Sequence, residues 1–508
     1  MVGAGLSGQR VLLVYPQGLD FVVAFFACQL SRAVAVPLAP LHPSRRARDW
    51  PRLLNVVSDC EPKAFLGDLA TLTALAPWKS ESPALAAMAW WTEGSLLGET
   101  KGAPLPPERA DALAFLQYTS GSTSAPKGVR ISHANVTAGV ADIIESYSLG
   151  PGSVIASWLP TFHDMGLIGK VLTTVVSGAH LHLLSPVEFL GRPYRWLAAI
   201  SEFKAYASAA PNFAYALAAA KVTDAQLEGI DLSSWRIAIN GAEPVTAQAM
   251  NDFVARFSRV GFRADAFRPA YGLAEATLLA STPRHARPLR VFDVSTQALA
   301  EGRVEMAVDG VPSTGLVSCG PPAPQVDMAV VDSATGKVVP DGTLGEIRVS
   351  GPAISSGYWR DIDDSGFEGE GARYFRTGDL GARIEGEFVV TGRIKELVIV
   401  NGRNYAPRDI EAAVLSVVPE ASSLGCVAFG IERDGSEAVV VALELERGAL
   451  GGPHIEAAVK TELSRQFDLE VHELVTLPRG SLPKTTSGKP MRRAVKAAFL
   501  AGRLKEST

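Results

Sequence analysis

The sequence predicts an α/β protein: a large N-terminal domain of doubly wound sheets plus a β-rich subdomain, then a small mobile α+β C-terminal domain. Three observations carry that prediction. Apolar strand-like runs alternate with helical patterns through the first half of the chain. From Val311 the pattern changes to short β runs separated by Gly, Pro and Asp. Near the end, Ile455, Val459, Leu463 and Phe467 recur every four residues, an apolar stripe for a small independent core.

The elements follow in order. Arg10 to Tyr15 (RVLLVY) reads as a buried strand and Phe21 to Leu30 as a helix with Phe21, Phe25 and Cys28 on one face. Ala33 to Leu38 (AVAVPL) is the next strand, which completes a βαβ unit. Val154 to Leu159, Ala179 to Leu184 and Arg236 to Asn240 repeat the theme, the last closing into Gly241 and a helix from about Val245. Gly345 to Ser350 and Glu387 to Val390 belong to the more antiparallel subdomain. After Arg393 come a strand at Glu396 to Val400, a helix from Pro407, strands at Cys426 to Ile431 and Ala438 to Leu445, and a helix at His454 to Phe467.

Composition narrows the function. The 508 residues are 47% hydrophobic and 20% charged, a globular balance. A net charge of −5 gives no electrostatic basis for nonspecific nucleic-acid binding. Cys28, Cys60, Cys319 and Cys426 are scattered without metal-ligand spacing, which fits a reducing compartment. The longest apolar stretches are too short or too interrupted to span a bilayer, so a soluble, cytoplasmic protein without stable membrane insertion is expected.

The most informative segment is Tyr118 to Gly128, YTSGSTSAPKG, directly after the apolar Leu113 to Leu116. Its glycines and hydroxyls allow backbone N–H groups to surround phosphate oxygens, and Lys127 adds a positive charge. No Walker A pattern passes through it, and a flexible surface turn has the same composition. Five further segments follow: GAEP at Gly241 to Pro244, YGLAEA at Tyr271 to Ala276, RTGDLG at Arg376 to Gly381, GRIKE at Gly392 to Glu396, and PKTTSGK at Pro483 to Lys489.

In this order the six segments resemble the adenylate-forming superfamily of acyl- and aminoacyl-activating enzymes, and the match covers nearly the whole chain. The resemblance implies ATP and Mg²⁺ as cofactors. It implies a phosphate loop of Thr119, Ser120, Gly121, Ser122 and Thr123 with Lys127, and a nucleotide pocket completed by Gly241, Ala242, Glu243, Tyr271, Gly272, Asp379 and Arg393. Asp379 suits ribose, because one carboxylate accepts from two vicinal hydroxyls, and Tyr271 suits stacking on adenine. Glu275 and Thr123 are the implied Mg²⁺ ligands, since Mg²⁺ prefers hard oxygens. Lys489 is the implied catalytic lysine of a C-terminal domain at 396–508. Lys395 is its hinge to an N-terminal domain at 1–392. Relatives begin earlier, so the usual first strand and helix are expected to be missing.

Within the superfamily, LPTFHDMGLIGK at Leu159 to Lys170 most resembles the fatty acyl-AMP ligases, which hand the acyl group to a holo, phosphopantetheinylated acyl carrier protein. PNFAYAL at Pro211 to Leu217 and VNGRNYAPRDIE at Val400 to Glu411 agree. His163 is then expected at the carboxylate entry, and Phe162, Met165, Leu167, Ile168, Phe213 and Tyr215 in an apolar tunnel for a fatty acid. His163 with Asp164, and His180 with His182, lack a third metal ligand at suitable spacing. Only Arg360 to Phe375 separates GYW from RTGD, short for the insertion associated with coenzyme A rejection, so an acyl-CoA synthetase stays open. A nonenzymatic acyl- or nucleotide-binding scaffold is the alternative from another class.

Overall fold

The structure is a computed structural model that describes residues 1–96, 108–119, 126–360, 367–368, 374–400, 403–433, 436–449, 451–484 and 490–504. Two sheets wound by helices form the bulk. In the first, the strand order is Ala89–Trp91, Ala64–Leu66, Arg10–Leu13, Val34–Pro37, Leu113–Tyr118, Gly128–Ser132, parallel except for the last pair. The Val11, Leu12 and Leu13 run is completely buried because helices cover both faces, as the unbroken apolar pattern requires. On helix Leu19–Leu30 the expected face of Phe21, Phe25 and Cys28 is the buried one.

The second sheet is parallel throughout, in the order Phe267–Pro269, Ile237–Asn240, Ala207–Ala210, Val154–Ser157, His180–Leu183. One flank is an aromatic cluster in which Trp196, Trp235, Tyr215 and Phe253 pack mainly edge to face, with Trp196 and Trp235 centroids 5.1 Å apart. Strand carboxyl ends in such a sheet open onto a crevice. Here the segments that follow Ile237–Asn240 and Phe267–Pro269 carry the GAEP and YGLAEA motifs.

The β-rich region pairs Asp327–Val331, Gly345–Ser350, Tyr374–Ile384 and Glu387–Arg393 in antiparallel order. Beyond a short 3₁₀ turn, Ile394–Glu396, the C-terminal region builds a second core, which Ala300 joins, on strands Ala421–Arg433, Ser436–Leu445 and Val471–Pro478. Ile455, Val459, Leu463 and Phe467 of helix Pro453–Phe467 are the residues that helix buries, as their spacing predicted. Among the described residues no helix is long and apolar enough to cross a membrane.

Candidate active site

The two ends of the YTSGSTSAPKG segment are carried by a strand pair. Strands Leu113–Tyr118 and Gly128–Ser132 pair as far as Tyr118 and Gly128, and the Thr119 N–H donates to the Lys127 carbonyl at 3.2 Å. The two ends are therefore held together. Ser120, Gly121, Ser122 and Thr123 lie outside the described residues. The Lys127 ammonium is 4.9 Å from the centroid of Tyr358, and the Tyr358 hydroxyl donates to Glu275 at 2.5 Å. A cation, an aromatic ring and a carboxylate thus form one chain of contacts.

Asp379 is the best-defined anchor. Strand pairing sets it directly opposite Arg393, whose Nε donates to Oδ1 at 3.0 Å, while the Tyr271 hydroxyl donates to Oδ2 at 2.7 Å. Burial pushes the Asp379 carboxyl above its ordinary value, and Arg393 and Tyr271 pull it back. Burial likewise raises the Glu275 carboxyl, offset in part by its Tyr358 hydrogen bond and by Arg393. One buried and one half-buried carboxylate and an exposed arginine face a common space, where an added cation or a set of hydroxyl donors is worth more than in bulk water.

That space is a cavity of about 580 Å³. Thr119, Gly241, Ala242, Glu243, Tyr271, Gly272, Glu275, Asp379 and Arg393 all line it, and so do His163 and Met165. Backbone shape brings the motifs this close. A Cβ on Gly272 would fall 1.7 Å from the Leu278 carbonyl, so only glycine lets Tyr271–Leu273 pair with Leu278–Ser281. Ala242 holds a left-handed φ of 66°. Glu243 has a structural role as well: its carboxylate accepts the Phe213 N–H at 2.6 Å, tying the loop to helix Asn212–Lys221. The His163 ring lies 2.5 Å from Asp164 and is partly exposed.

Of the residues expected in an apolar tunnel, one lines this cavity. Met165 lines the cavity, whereas Phe162, Leu167, Ile168, Phe213 and Tyr215 do not. Leu167 and Ile168 are fully buried, Tyr215 belongs to the aromatic cluster with its hydroxyl donating to the Ile239 carbonyl at 2.8 Å, and Phe213 packs edge to face on Trp158. The apolar wall comes instead from Ile143, Tyr147, Leu278, Leu279 and Val317. Core packing and tunnel lining use the same residue types, so composition did not separate them.

The C-terminal region closes one side. Pro490, Met491 and Arg492 line the cavity, while Lys489, just before them, lies outside the described residues. Lys395 is in the 3₁₀ turn between the two regions. Its neighbour Glu396 accepts from Arg492 at 3.4 Å, and Arg492 also pairs with Glu411. Two functional candidates escaped sequence reasoning. Tyr358, in the GYW segment, connects Lys127 to Glu275. Lys170, at the end of LPTFHDMGLIGK, lines the cavity.

The Leu113–Tyr118 and Gly128–Ser132 hairpin, the Asp379 corner and an apolar wall thus meet around one cavity. The family described as AMP-binding enzyme matches residues 2–359, and the chain belongs to it. The chain is 37% identical to the medium-chain-fatty-acid–[acyl-carrier-protein] ligase JamA of Moorena producens (strain JHB), over 98% of this chain and 86% of that protein. It is also 37% identical to the long-chain-fatty-acid–AMP ligase FadD23 of Mycobacterium tuberculosis (strain CDC 1551 / Oshkosh), over 96% and 85%. A solved chain from studies of fatty acyl-adenylate ligases of E. coli and L. pneumophila superposes with a TM-score of 0.90 at 32% identity, covering 99% of this chain and 90% of that one. The fatty acyl-adenylate ligase of L. pneumophila in complex with acyl adenylate and pyrophosphate matches with a TM-score of 0.74 at 33% identity, over 98% and 89%.

Proposed function

We propose that this chain activates a fatty acid with ATP and passes the acyl group to the phosphopantetheine thiol of an acyl carrier protein. In the first step a carboxylate oxygen attacks the α-phosphorus of ATP, forming the acyl-adenylate as pyrophosphate leaves. In the second the thiol attacks the acyl carbonyl, and AMP leaves. The observation that carries the reading is the single cavity in which the Asp379 corner faces an apolar wall, in a chain of the AMP-binding enzyme family.

Each residue then has a task. Asp379 binds the ribose hydroxyls, and Tyr271 with Gly241, Ala242, Glu243 and Gly272 shapes the adenine side. Arg393 offsets part of the burial that raises the Asp379 carboxyl, and it faces developing phosphate charge. Thr119, Ser120, Gly121, Ser122, Thr123 and Lys127 hold the leaving phosphates, and Lys489 adds a charge when the C-terminal domain, at 396–508, turns about Lys395. His163 stands at the carboxylate entry. Glu275 fits a hard cation, because its charged form is disfavoured by burial until positive charge arrives. Glu275 and Thr123 would hold Mg²⁺, which supplies neutralising charge to the triphosphate.

The carrier-protein acceptor rests on relatives such as JamA and TtuA, both named acyl-carrier-protein ligases. A cytoplasmic setting fits four buried, free cysteines. The test supplies ATP, a fatty acid and either holo carrier protein or coenzyme A, and weighs the product by mass spectrometry. An acyl carrier protein thioester supports the reading. An acyl-coenzyme A product alone would move the chain to the acyl-CoA synthetases, and no acyl-AMP with any acid would leave only a binding scaffold.

A further inference from the structure

A plain hydrocarbon chain does not account for one member of the cavity wall. Lys170 lies on the irregular helical segment Leu167–Leu172, lines the cavity and is only 3% exposed. Among the described residues no carboxylate, carbonyl or hydroxyl pairs with its ammonium. Burial alone acts on it, drawing its pKa down to about 8. Lysine is seldom buried unless paired, because an ammonium removed from water without compensation is costly.

Other buried or half-buried cations here are treated differently. Lys484 is 2.8 Å from the fully buried Glu444, Arg492 pairs with Glu411, and Arg393 pairs with Asp379. Two polar groups of the same cavity are engaged elsewhere, while the Gln117 Oε1 is a buried acceptor without a partner among the described residues. Tyr147, on the same wall, turns its hydroxyl to Thr282 at 3.3 Å. Asp164 accepts from the Met165 N–H at 2.7 Å and holds His163 at 2.5 Å. The remaining wall includes Ile143, Leu278, Leu279 and Val317, which offer no side-chain acceptor. Lys170 follows Asp164 by six residues of continuous helix, roughly 9 Å at the ordinary helical rise, and both line the cavity.

We propose that Lys170 is a specificity-determining residue for an acyl substrate that carries an oxygen acceptor partway along its chain. The acceptor is a hydroxyl, a carbonyl or a second carboxylate, and it takes a hydrogen bond from the Lys170 ammonium. The inference rests on the acyl-activating reading above. A site built to hydrogen-bond a substrate group discriminates against the analogue that lacks it, because its own polar group is then left unpaired.

The test measures acid-dependent ATP–pyrophosphate exchange with acids matched in length: unsubstituted, mid-chain hydroxy, mid-chain keto and α,ω-dicarboxylic. The wild-type protein is expected to favour one oxygenated class in kcat/KM by roughly 10- to 100-fold over the unsubstituted acid, the range of a hydrogen bond to a charged group. The three oxygenated arms tell the acceptors apart. Lys170→Met should lose that preference while the KM for ATP stays unchanged, and its Tm should equal or exceed that of the wild type, since an unpaired buried charge is removed. Lys170→Gln, which keeps a donor, should retain part of the preference and serves if Lys170→Met does not fold. Equal preferences in wild type and Lys170→Met, or a wild-type preference for the unsubstituted acid, would overturn the role of Lys170 and leave the activity intact. No exchange with any acid overturns the activity reading itself and this inference with it.

Discussion

At the carboxylate corner Asp379 is met by Tyr271 and Arg393, and Glu275 by Tyr358, within the protein itself. Along the apolar wall, Lys170 has no such partner among the described residues. The corner is organised in advance, with donors fixed by strand pairing and by a glycine-dependent turn. The wall leaves one buried charge for its ligand to satisfy. A group whose partner is supplied by the protein holds a shape, whereas a group whose partner is absent selects what enters.

Substitutions at the corner and on its C-terminal side sharpen that contrast. The largest effect is expected for Lys489→Ala, which should lower the single-turnover adenylation rate by about 10²- to 10³-fold, the scale of one preorganised charge-stabilising group. An unchanged rate would remove Lys489 from the adenylation step. Asp379→Asn should raise the KM for ATP by roughly 10-fold or more, because a charged acceptor is lost and Arg393 is left without its partner. Unaltered ATP saturation would count against the ribose assignment.

Glu275→Gln acts on binding and on stability in opposite directions. Burial raises the Glu275 carboxyl above its ordinary 4.5, so its protonated form is favoured in the folded protein. Its stabilising contribution is complete below 4.5 and disappears as pH rises through the raised value. Without metal, the glutamine variant should therefore lose less Tm than the wild type between pH 4 and pH 8, and its activity should depend less steeply on Mg²⁺. A wild-type metal titration in the variant would exclude Glu275 as a ligand. The smallest effect belongs to Tyr271→Phe, which removes one of two donors to Asp379 at about 1 kcal/mol, or roughly a 5-fold rise in the KM for ATP.

The layered fold was legible because period and burial agree: Val11 to Leu13 on a covered strand, Phe21, Phe25 and Cys28 on one helical face, and the Ile455 stripe in the last domain. That Asp379 and Glu275 line one cavity was legible through short motifs whose glycines the backbone demands, as at Gly272. The apolar wall was not. Tyr215 and Leu278 are both apolar in pattern, and only the sheet geometry sends the first into the aromatic cluster and the second to the cavity. Lys170 was hidden for the same reason. A lysine near the end of an apolar motif reads as a solvated helix end until the helix is seen to be buried on all sides.

The most direct measurement is the formation of acyl-AMP itself: the purified chain with ATP, Mg²⁺ and a panel of fatty acids, followed by mass spectrometry of the nucleotide products. The account predicts acid-dependent acyl-AMP with stoichiometric pyrophosphate, reduced sharply by Asp379→Asn. Release of AMP or pyrophosphate that is independent of added acid, or its complete absence across the panel, would contradict it.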